Sequence, residues 1–267
     1  MFQTRSATAV AADPIINAVV SPEASLVARD LLRMVLAYSA LFRPDWVAVL
    51  KALLANVLMN DVLNWWNGAG ADELNEASVA ADEAIKLNSN SALAHHAKGL
   101  VHSGRRHHDD ARKAFRDAKQ LDRGFARGHA QFGNQKSFLG RLDEVQDPLD
   151  KAISLSPDDP ASGYFYWGKG RGYFEAAVRS NAQADWSNAI EWLTKSVEAL
   201  PTVWYNRCYL AAAQNNAGDA NGRRQTITNF KNDPRFDQAT FDRIKQLNPD
   251  PKEPARKSML DFVQPLL

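Results

Sequence analysis

The chain has 267 residues, of which 45% are hydrophobic and 24% charged, and its net charge at pH 7 is +1. This is the composition of an ordinary globular protein, and the near-zero charge excludes a global attraction to nucleic acid or anionic lipid. The single cysteine, Cys208, excludes a disulfide within the chain and indicates a reducing, cytoplasmic location. Residues 1–21 lack the continuous apolar stretch of a secretory signal and are expected to form a flexible segment.

The first predicted helix covers residues 22–41, with Ser21 as its cap, and resembles the second helix of an incomplete helical pair. A long apolar helix follows from about Trp46 to Trp66. Lys51 and Asp61 interrupt it, and a charged residue near the centre of a bilayer costs on the order of 2.5–3.5 kcal/mol. The sequence therefore predicts a helix packed on both sides by neighbours, and no membrane insertion.

Two consecutive stretches of the chain fit one 34-residue frame. From Ala92 the frame places Gly99 at position eight, Ala111 at twenty, Phe115 at twenty-four and Ala118 at twenty-seven. Small residues at eight and twenty-seven let two antiparallel helices approach closely, and the large residue fills the space between neighbouring pairs. Such pairs must stack to bury their faces. From Ala126 the same four positions hold Gly133, Val145, Leu149 and Ala152.

Further units fit the frame when insertions are allowed. Ala77, Ala81 and Ala84 fall at the late positions of an earlier unit. A later unit, about ten residues longer than the frame, has Gly168 at position eight and Leu193 at twenty-four. One more first helix follows, from about residue 204.

This pattern resembles the tetratricopeptide repeat family over roughly residues 22–232. The resemblance implies an all-α fold, a right-handed αα-superhelix of about four to five helical hairpins within residues 22–248, and a protein-binding role. Residues 249–267 are expected to form a linker and a short C-terminal helix, which either packs back on the repeats or continues into a longer protein. The runs NDVLNWWNGAGADELNEA and LSPDDPASGYFYWGKG also resemble the repeat region that follows bacterial class III nucleotide cyclases or winged-helix regulators, which implies a regulatory module.

In tetratricopeptide-like hairpins the first helices line the concave surface, with positions two, five, nine and twelve pointing into it. Chaperone-binding members grip a carboxylate with a lysine where this chain has Ala130, so that activity is not carried over. The expected partner is a protein or peptide, and no nucleic acid. The predicted partner-binding residues are His96, Leu100, Ser103, Arg127, Asn134, Ser137, Phe165, Lys169 and Tyr205.

All six histidines lie between His95 and His129. Packing and helix capping account for them, and no metal site is predicted. The segment from His95 to Arg127 carries nine Lys or Arg against four Asp. This suggests an acidic partner that binds more tightly as the histidines protonate below about pH 6.5. The metal alternatives are His95, His102 and His129, or His107 and His108 with Asp109 and Asp110.

No enzymatic constellation is present in the sequence, so neither catalysis nor a cofactor is predicted. The run from Gly168 to Gly172 lacks the preceding strand, and the lysine followed by Ser or Thr, of a phosphate-binding loop. Close helix packing, or a break in a long helix, explains these glycines better. The aromatic residues around the run are too dense for one buried stripe, so some are expected to face a groove or a partner. An alternative function is a regulatory module of a bacterial signalling protein.

Overall fold

The computed structural model describes residues 21–138, 141–180, 182–248 and 253–267, and every regular element in these ranges is a helix. The predicted all-α fold class is confirmed. The α-helices are α1 Pro22–Leu36, α2 Pro44–Asn64, α3 Ala71–Leu87, α4 Ala92–Gly104, α5 His108–Leu121, α6 Ala126–Phe138, α7 Gln146–Leu155, α8 Ser162–Ser180, α9 Gln183–Ala199, α10 Trp204–Asn216, α11 Ala220–Lys231, α12 Gln238–Lys245 and α13 Pro254–Val263.

The described residues divide into two compact units, the first drawn from residues 21–135 and 151–160 and the second from residues 136–150 and 161–267. In the first unit α2 packs against α1, α3 and α4. This position explains why α2 is apolar on most of its surface. Its polar side chains are satisfied locally: the Nδ2 of Asn56 donates to the carbonyl of Ala52 at 2.7 Å, and that of Asn64 to the carbonyl of Asn60 at 2.9 Å.

Helix α1 is tied to α2 by a buried ion pair. Arg29 Nη1 lies 3.3 Å from Asp61 Oδ2, and Asn67 donates to Asp61 Oδ1 at 3.2 Å. Burial raises the pKa of Asp61, and these partners oppose that shift. Ser21 caps α1 as predicted, because its Oγ accepts from the backbone N–H of Ala24 at 3.2 Å.

Helices α4 and α5 form the hairpin that the repeat frame predicts. Gly99 faces the ring of Phe115, and both side chains predicted to be small and inward, Ala111 and Ala118, are fully buried. Ser91 begins α4 by accepting from the N–H of Ala94 at 3.2 Å. The spacing of small and large residues therefore corresponds to real contacts in this hairpin.

In the second unit α8 and α9 pack along their length, and the contact with Leu193 corrects the predicted register. A β-carbon on Gly170 would lie 2.6 Å from Leu193 Cγ, so Gly170 meets the large residue that the frame paired with Gly168. Helix α8 runs without interruption through the glycine-rich stretch. Close packing of these glycines is confirmed, and the alternative of a break is wrong.

Helix α13 packs against α8 and α10. The prediction that the C-terminal segment packs back on the repeats is therefore confirmed. The side chain of Gln264, just after α13, donates to the carbonyls of Ile244 at 3.0 Å and Leu247 at 2.7 Å and ties this end to α12. The buried residues of α13 are Ala255, Met259, Leu260 and Val263.

Candidate protein-interaction surfaces

His96 is the most enclosed of the predicted binding residues. Its Nδ1 lies 2.7 Å from Asn56 Oδ1, and its ring contacts the rings of Phe115 and Phe125 at centroid distances of 5.4 and 5.2 Å. Because the amide oxygen of Asn56 can only accept, His96 Nδ1 carries the proton and Nε2 is an acceptor. That Nε2 atom is buried with no hydrogen-bond partner among the described residues.

The other predicted residues of α4 and α6 differ in exposure. Leu100 and Asn134 are buried, whereas Ser103 and Arg127 are partly exposed. Ser103 Oγ accepts from Gln135 Nε2 at 3.1 Å. The Oδ1 atom of Asn134, like the Nε2 atom of His96, is a buried acceptor without a hydrogen-bond partner within the described chain. Two buried acceptors, on α4 and α6, thus lie at positions where the frame predicted contacts with a partner.

Arg127 forms an ion pair that the sequence did not predict. Its Nη2 lies 3.3 Å from Asp159 Oδ1, and both side chains are largely buried. Asp159 precedes Pro160 in the sequence, whereas α8 begins at Ser162. The carboxylate of Asp159 therefore stands before the helix, where it meets the guanidinium of Arg127.

The two-residue shift in α8 changes which side chains share the face that meets α10. With Gly170 at position eight, positions five and nine are Trp167 and Arg171. Phe165 and Lys169 were predicted there, but both are buried, and Lys169 pairs with Asp150 and lies 4.2 Å from the centroid of the Trp192 ring. The repeat positions in α8 are therefore shifted by two residues from the predicted ones. The shift is visible in the contact between Gly170 and Leu193, which the sequence does not give.

An aromatic cluster joins α8 and α10 around Trp167. Its ring centroid lies 5.1 Å from that of Tyr205 and 6.4 Å from that of Tyr209, both in edge-on arrangements. Tyr205, a predicted binding residue, is partly exposed, and the surrounding apolar groups raise its pKa well above the usual value. The indole N–H of Trp167 is buried without an acceptor among the residues described. The expectation of partner-facing aromatics remains a prediction for Trp167 and Tyr205.

Arg171 is the largest fully buried side chain of the described residues. Its Nη1 donates to Ser137, a predicted binding residue that is itself buried, and its guanidinium lies 3.9 Å from the centroid of the Phe138 ring. Its Nη2 lies 4.0 Å from Glu253 Oε2, immediately before α13. A charge in this position is stabilised by an aromatic face and a carboxylate in place of water.

One group of three potential metal ligands comes together within the described ranges. It consists of His102, His107 and Asp110, whose ligand atoms lie within 4.8 Å of one another. Arg106 adopts a left-handed backbone conformation, with φ of 61°, and returns the chain so that His107 N–H donates to the carbonyl of His102 at 2.9 Å. Asp110 is already paired with Lys113 at 3.1 Å. We therefore propose no metal at this turn.

Neither of the two alternative sets of metal ligands is brought together among the described residues. His95 and His129 each turn a ring nitrogen to a backbone carbonyl, that of Ser89 at 2.9 Å and that of Arg123 at 3.2 Å. Both histidines therefore close the turn that precedes their own helix. The interpretation of the histidines as packing residues is supported by these contacts.

Burial lowers the pKa of His96 to about 3, with a further contribution from the positive charge of Arg127. Burial also lowers the pKa values of His102 and His129. The prediction that the histidines gain charge together below pH 6.5 is wrong for His96. Any pH-dependent recognition must rest on other groups.

Five of the nine basic side chains of the segment from His95 to Arg127 lie within 4.0 Å of a carboxylate. Only two of these carboxylates, those of Asp82 and Asp159, come from outside the segment, so the pairs reduce its excess of positive charge without removing it. The pairs are Lys98–Asp82, Arg112–Asp109, Lys113–Asp110, Arg116–Asp117 and Arg127–Asp159.

An apolar stripe on α1 is exposed. Val27, Leu31 and Met34 follow one another at spacings of four and three residues, and each is more than half exposed, as is Tyr38 just after the helix. The opposite side of the helix carries the buried Leu32 against α2.

The sequence matches no known family model, and no curated protein is significantly similar to it. Solved structures nevertheless share the fold. Human IFIT1, solved as a dimer with m7Gppp-AAAA, is 14% identical with a TM-score of 0.66 over 83% of this chain and 48% of its own. PilW, a type IV pilus biogenesis factor, is 19% identical with a TM-score of 0.54 over 72% and 82%.

Cut9–Hcn1, a hetero-tetramer of APC/C, is a third similar structure, 14% identical with a TM-score of 0.61 over 81% of this chain and 39% of its own. The chain thus spans about half the length of IFIT1 and less of the Cut9–Hcn1 chain. At this level of identity the similarities concern architecture. They define a helical fold of the tetratricopeptide type.

Of the described helices, only α2 has the length and apolar composition to cross a membrane. Most of its apolar stretch is buried against other helices of the first unit. Burial of this kind is typical of a central helix in a helical array.

Proposed function

We propose that this protein is an interaction module that binds a peptide or helix of another protein along its first helices and catalyses no reaction of its own. The observation that carries the proposal is that Ser103 and Arg127 are partly exposed at predicted binding positions of α4 and α6. A side chain that reaches the surface can contact a bound peptide, and the hydroxyl of Ser103 can donate a hydrogen bond to a backbone carbonyl. The tetratricopeptide-type fold supports this role.

A protein partner is favoured over RNA. Nucleic-acid binding requires positive charges that are free to contact phosphates, whereas the basic residues of α4 and α5 are mostly paired with carboxylates. The IFIT1 structure contains a capped oligonucleotide, so RNA is the outcome to exclude. In filter binding, we expect RNA retention no greater than that of a neutral control protein at 150 mM salt.

Photo-crosslinking in the native cell tests the proposal. A photoreactive amino acid at Ser103, partly exposed on α4, should capture a defined polypeptide that mass spectrometry identifies. The matched control places the same group at Gln120, exposed on α5. Identical products from both positions, or none from Ser103, would overturn the proposal.

We also propose a cytoplasmic location and, as an alternative function, a regulatory module of a bacterial signalling protein. Cys208 is the single cysteine of the sequence and is buried on α10, and a lone buried thiol suits a reducing compartment. The regulatory reading rests on the resemblance of two sequence runs to regions beside bacterial cyclases and regulators. A cyclase or DNA-binding domain encoded in the same reading frame would support it.

A further inference from the structure

The C-terminal helix α13 covers a face of the second unit built from two first helices, α8 and α10. In a helical array of this type these are the helices that would receive a partner. The arrangement therefore shows what kind of helix this face accepts.

Polar contacts fix the beginning of α13 on α8. The backbone N–H of Ala255 donates to Glu175 Oε2 at 3.1 Å, and Glu253 Oε2 lies 4.0 Å from Arg171 Nη2. Arg171, Glu175 and Glu253 are all buried. The first turn of α13 is thus held by one backbone N–H that has no partner within the helix, and by one acidic side chain.

Apolar side chains fix the rest of α13. Ala255, Met259, Leu260 and Val263 are almost completely buried, while Lys257 and Asp261 pair with each other on the exposed side. The spacing of the buried residues, at four, one and three, defines one face of an amphipathic helix.

The combination of buried charges with a short apolar stripe suits an interface that opens. Apolar residues of similar volume often replace a buried ion pair in a permanent core without loss of stability. In an interface that separates, charged groups such as Arg171 and Glu175 regain their hydration when the helix leaves. A contact of this composition is more typical of an exchangeable association than of a fixed core.

We propose that the face of α8 and α10 is a helix-binding surface, which residues 253–263 occupy in the same chain, and that a partner helix competes for it. The occupant specifies the partner: an acidic residue just before the helix, then apolar residues two, six, seven and ten positions later. Arg179 pairs with Glu175 on α8, so Arg171 is the positive charge of this face that favours an acidic group in the position of Glu253. The residues of this surface differ from those proposed to bind a partner on α4 and α6.

A peptide-binding measurement tests the proposal on the full chain. The probe is a fluorescein-labelled peptide with the sequence of residues 253–267, followed by anisotropy. A tethered helix competes at an effective concentration of about millimolar, so the unaltered chain should bind the peptide weakly. The variant Leu260→Asp, which releases α13, should bind it at least tenfold more tightly. Lys257→Ala, on the exposed side of α13, is the matched control and should behave as the unaltered chain.

A second variant protects the test against misfolding. Glu253→Gln keeps the size of the side chain and removes its charge, so it should increase amide hydrogen exchange in residues 254–263 and raise peptide affinity at least threefold. Equal peptide affinity of both variants and the unaltered chain would overturn the proposal. Loss of helical circular dichroism beyond α13 in both variants would also overturn it, because α13 would then be a part of the core. Crosslinking at Ser103 reports on the other surface, so the two proposals fail separately.

Discussion

Gly99 lies directly against the ring of Phe115, so that a β-carbon on Gly99 would stand 2.5 Å from Phe115 Cε1. The two residues are sixteen positions apart and belong to the two helices of one hairpin. Glycine is required here by space, since the ring it meets is fully buried and cannot move into solvent.

We expect Gly99→Leu to lower the free energy of unfolding by about 1–3 kcal/mol, because the added atoms overpack the hairpin. Chemical denaturation monitored by circular dichroism measures this. Gln120→Leu, at an exposed position of α5, is the control and should change stability little. The double variant Gly99→Ala with Phe115→Leu should lose less stability than the sum of the losses of its two single variants. Additive losses would contradict the contact. Gly133, buried at the equivalent position of α6, leads to the same expectation for Gly133→Leu.

Gly170→Ala should destabilise the second unit by about 1–3 kcal/mol through the same mechanism. Its β-carbon would lie 2.6 Å from Leu193 Cγ and 3.0 Å from the backbone nitrogen of Leu193, which cannot move as a side chain can. Thermal unfolding followed by differential scanning calorimetry is the measurement. An unchanged Tm would show that the helices are not in this register.

The buried His96 should make the protein sensitive to acid. Its pKa in the folded state, about 3, lies below the ordinary value of 6.5, so only the unfolded chain takes up this proton as the pH falls between the two. The stabilising contribution is therefore complete above pH 6.5 and is lost toward pH 3, at a slope of up to about 1.4 kcal/mol per pH unit. Denaturation curves between pH 7 and pH 4 should show a shallower slope for His96→Gln, and identical slopes would refute this origin.

Arg171→Met should lower the free energy of unfolding by about 3–5 kcal/mol, since it removes the guanidinium that lies 4.0 Å from the buried carboxylate of Glu253. The exposed Lys257→Met on α13 is the comparison and should have a small effect. Urea denaturation at neutral pH distinguishes the two. A loss below about 1 kcal/mol would mean that the guanidinium is not needed to keep the carboxylate of Glu253 buried.

The sequence predicts the hairpins well where the helices have the usual length. In α4 and α5 the positions of Gly99 and Phe115 are sufficient, because small and large residues at this spacing can be buried together in only one way. In α8 two glycines, Gly168 and Gly170, compete for the same position, and an insertion of unknown placement leaves both possible. The packing of Leu193 decides between them, and this is a tertiary contact.

The binding surface is less predictable than the hairpins. Repeat position indicates which side of a first helix a residue lies on, but not whether another side chain covers it. His96 is enclosed by Phe125, and Ser137 by Arg171, both from elements whose approach depends on the whole unit. The sequence predicts that the C-terminal helix packs on the repeats, but not that it packs on α8 and α10. Arg171 and Glu175 contact the beginning of α13, and the repeat pattern does not mark either residue as a contact.

Hydrogen–deuterium exchange of the chain with and without its crosslinked partner, once isolated, tests the central claim most directly. If the first helices bind the partner, protection should appear in α4 and in residues 126–135 of α6, while α5 and α3 exchange as in the free chain. Protection confined to α3 and α5, with α4 and α6 unchanged, would contradict the claim that the first helices carry the interaction.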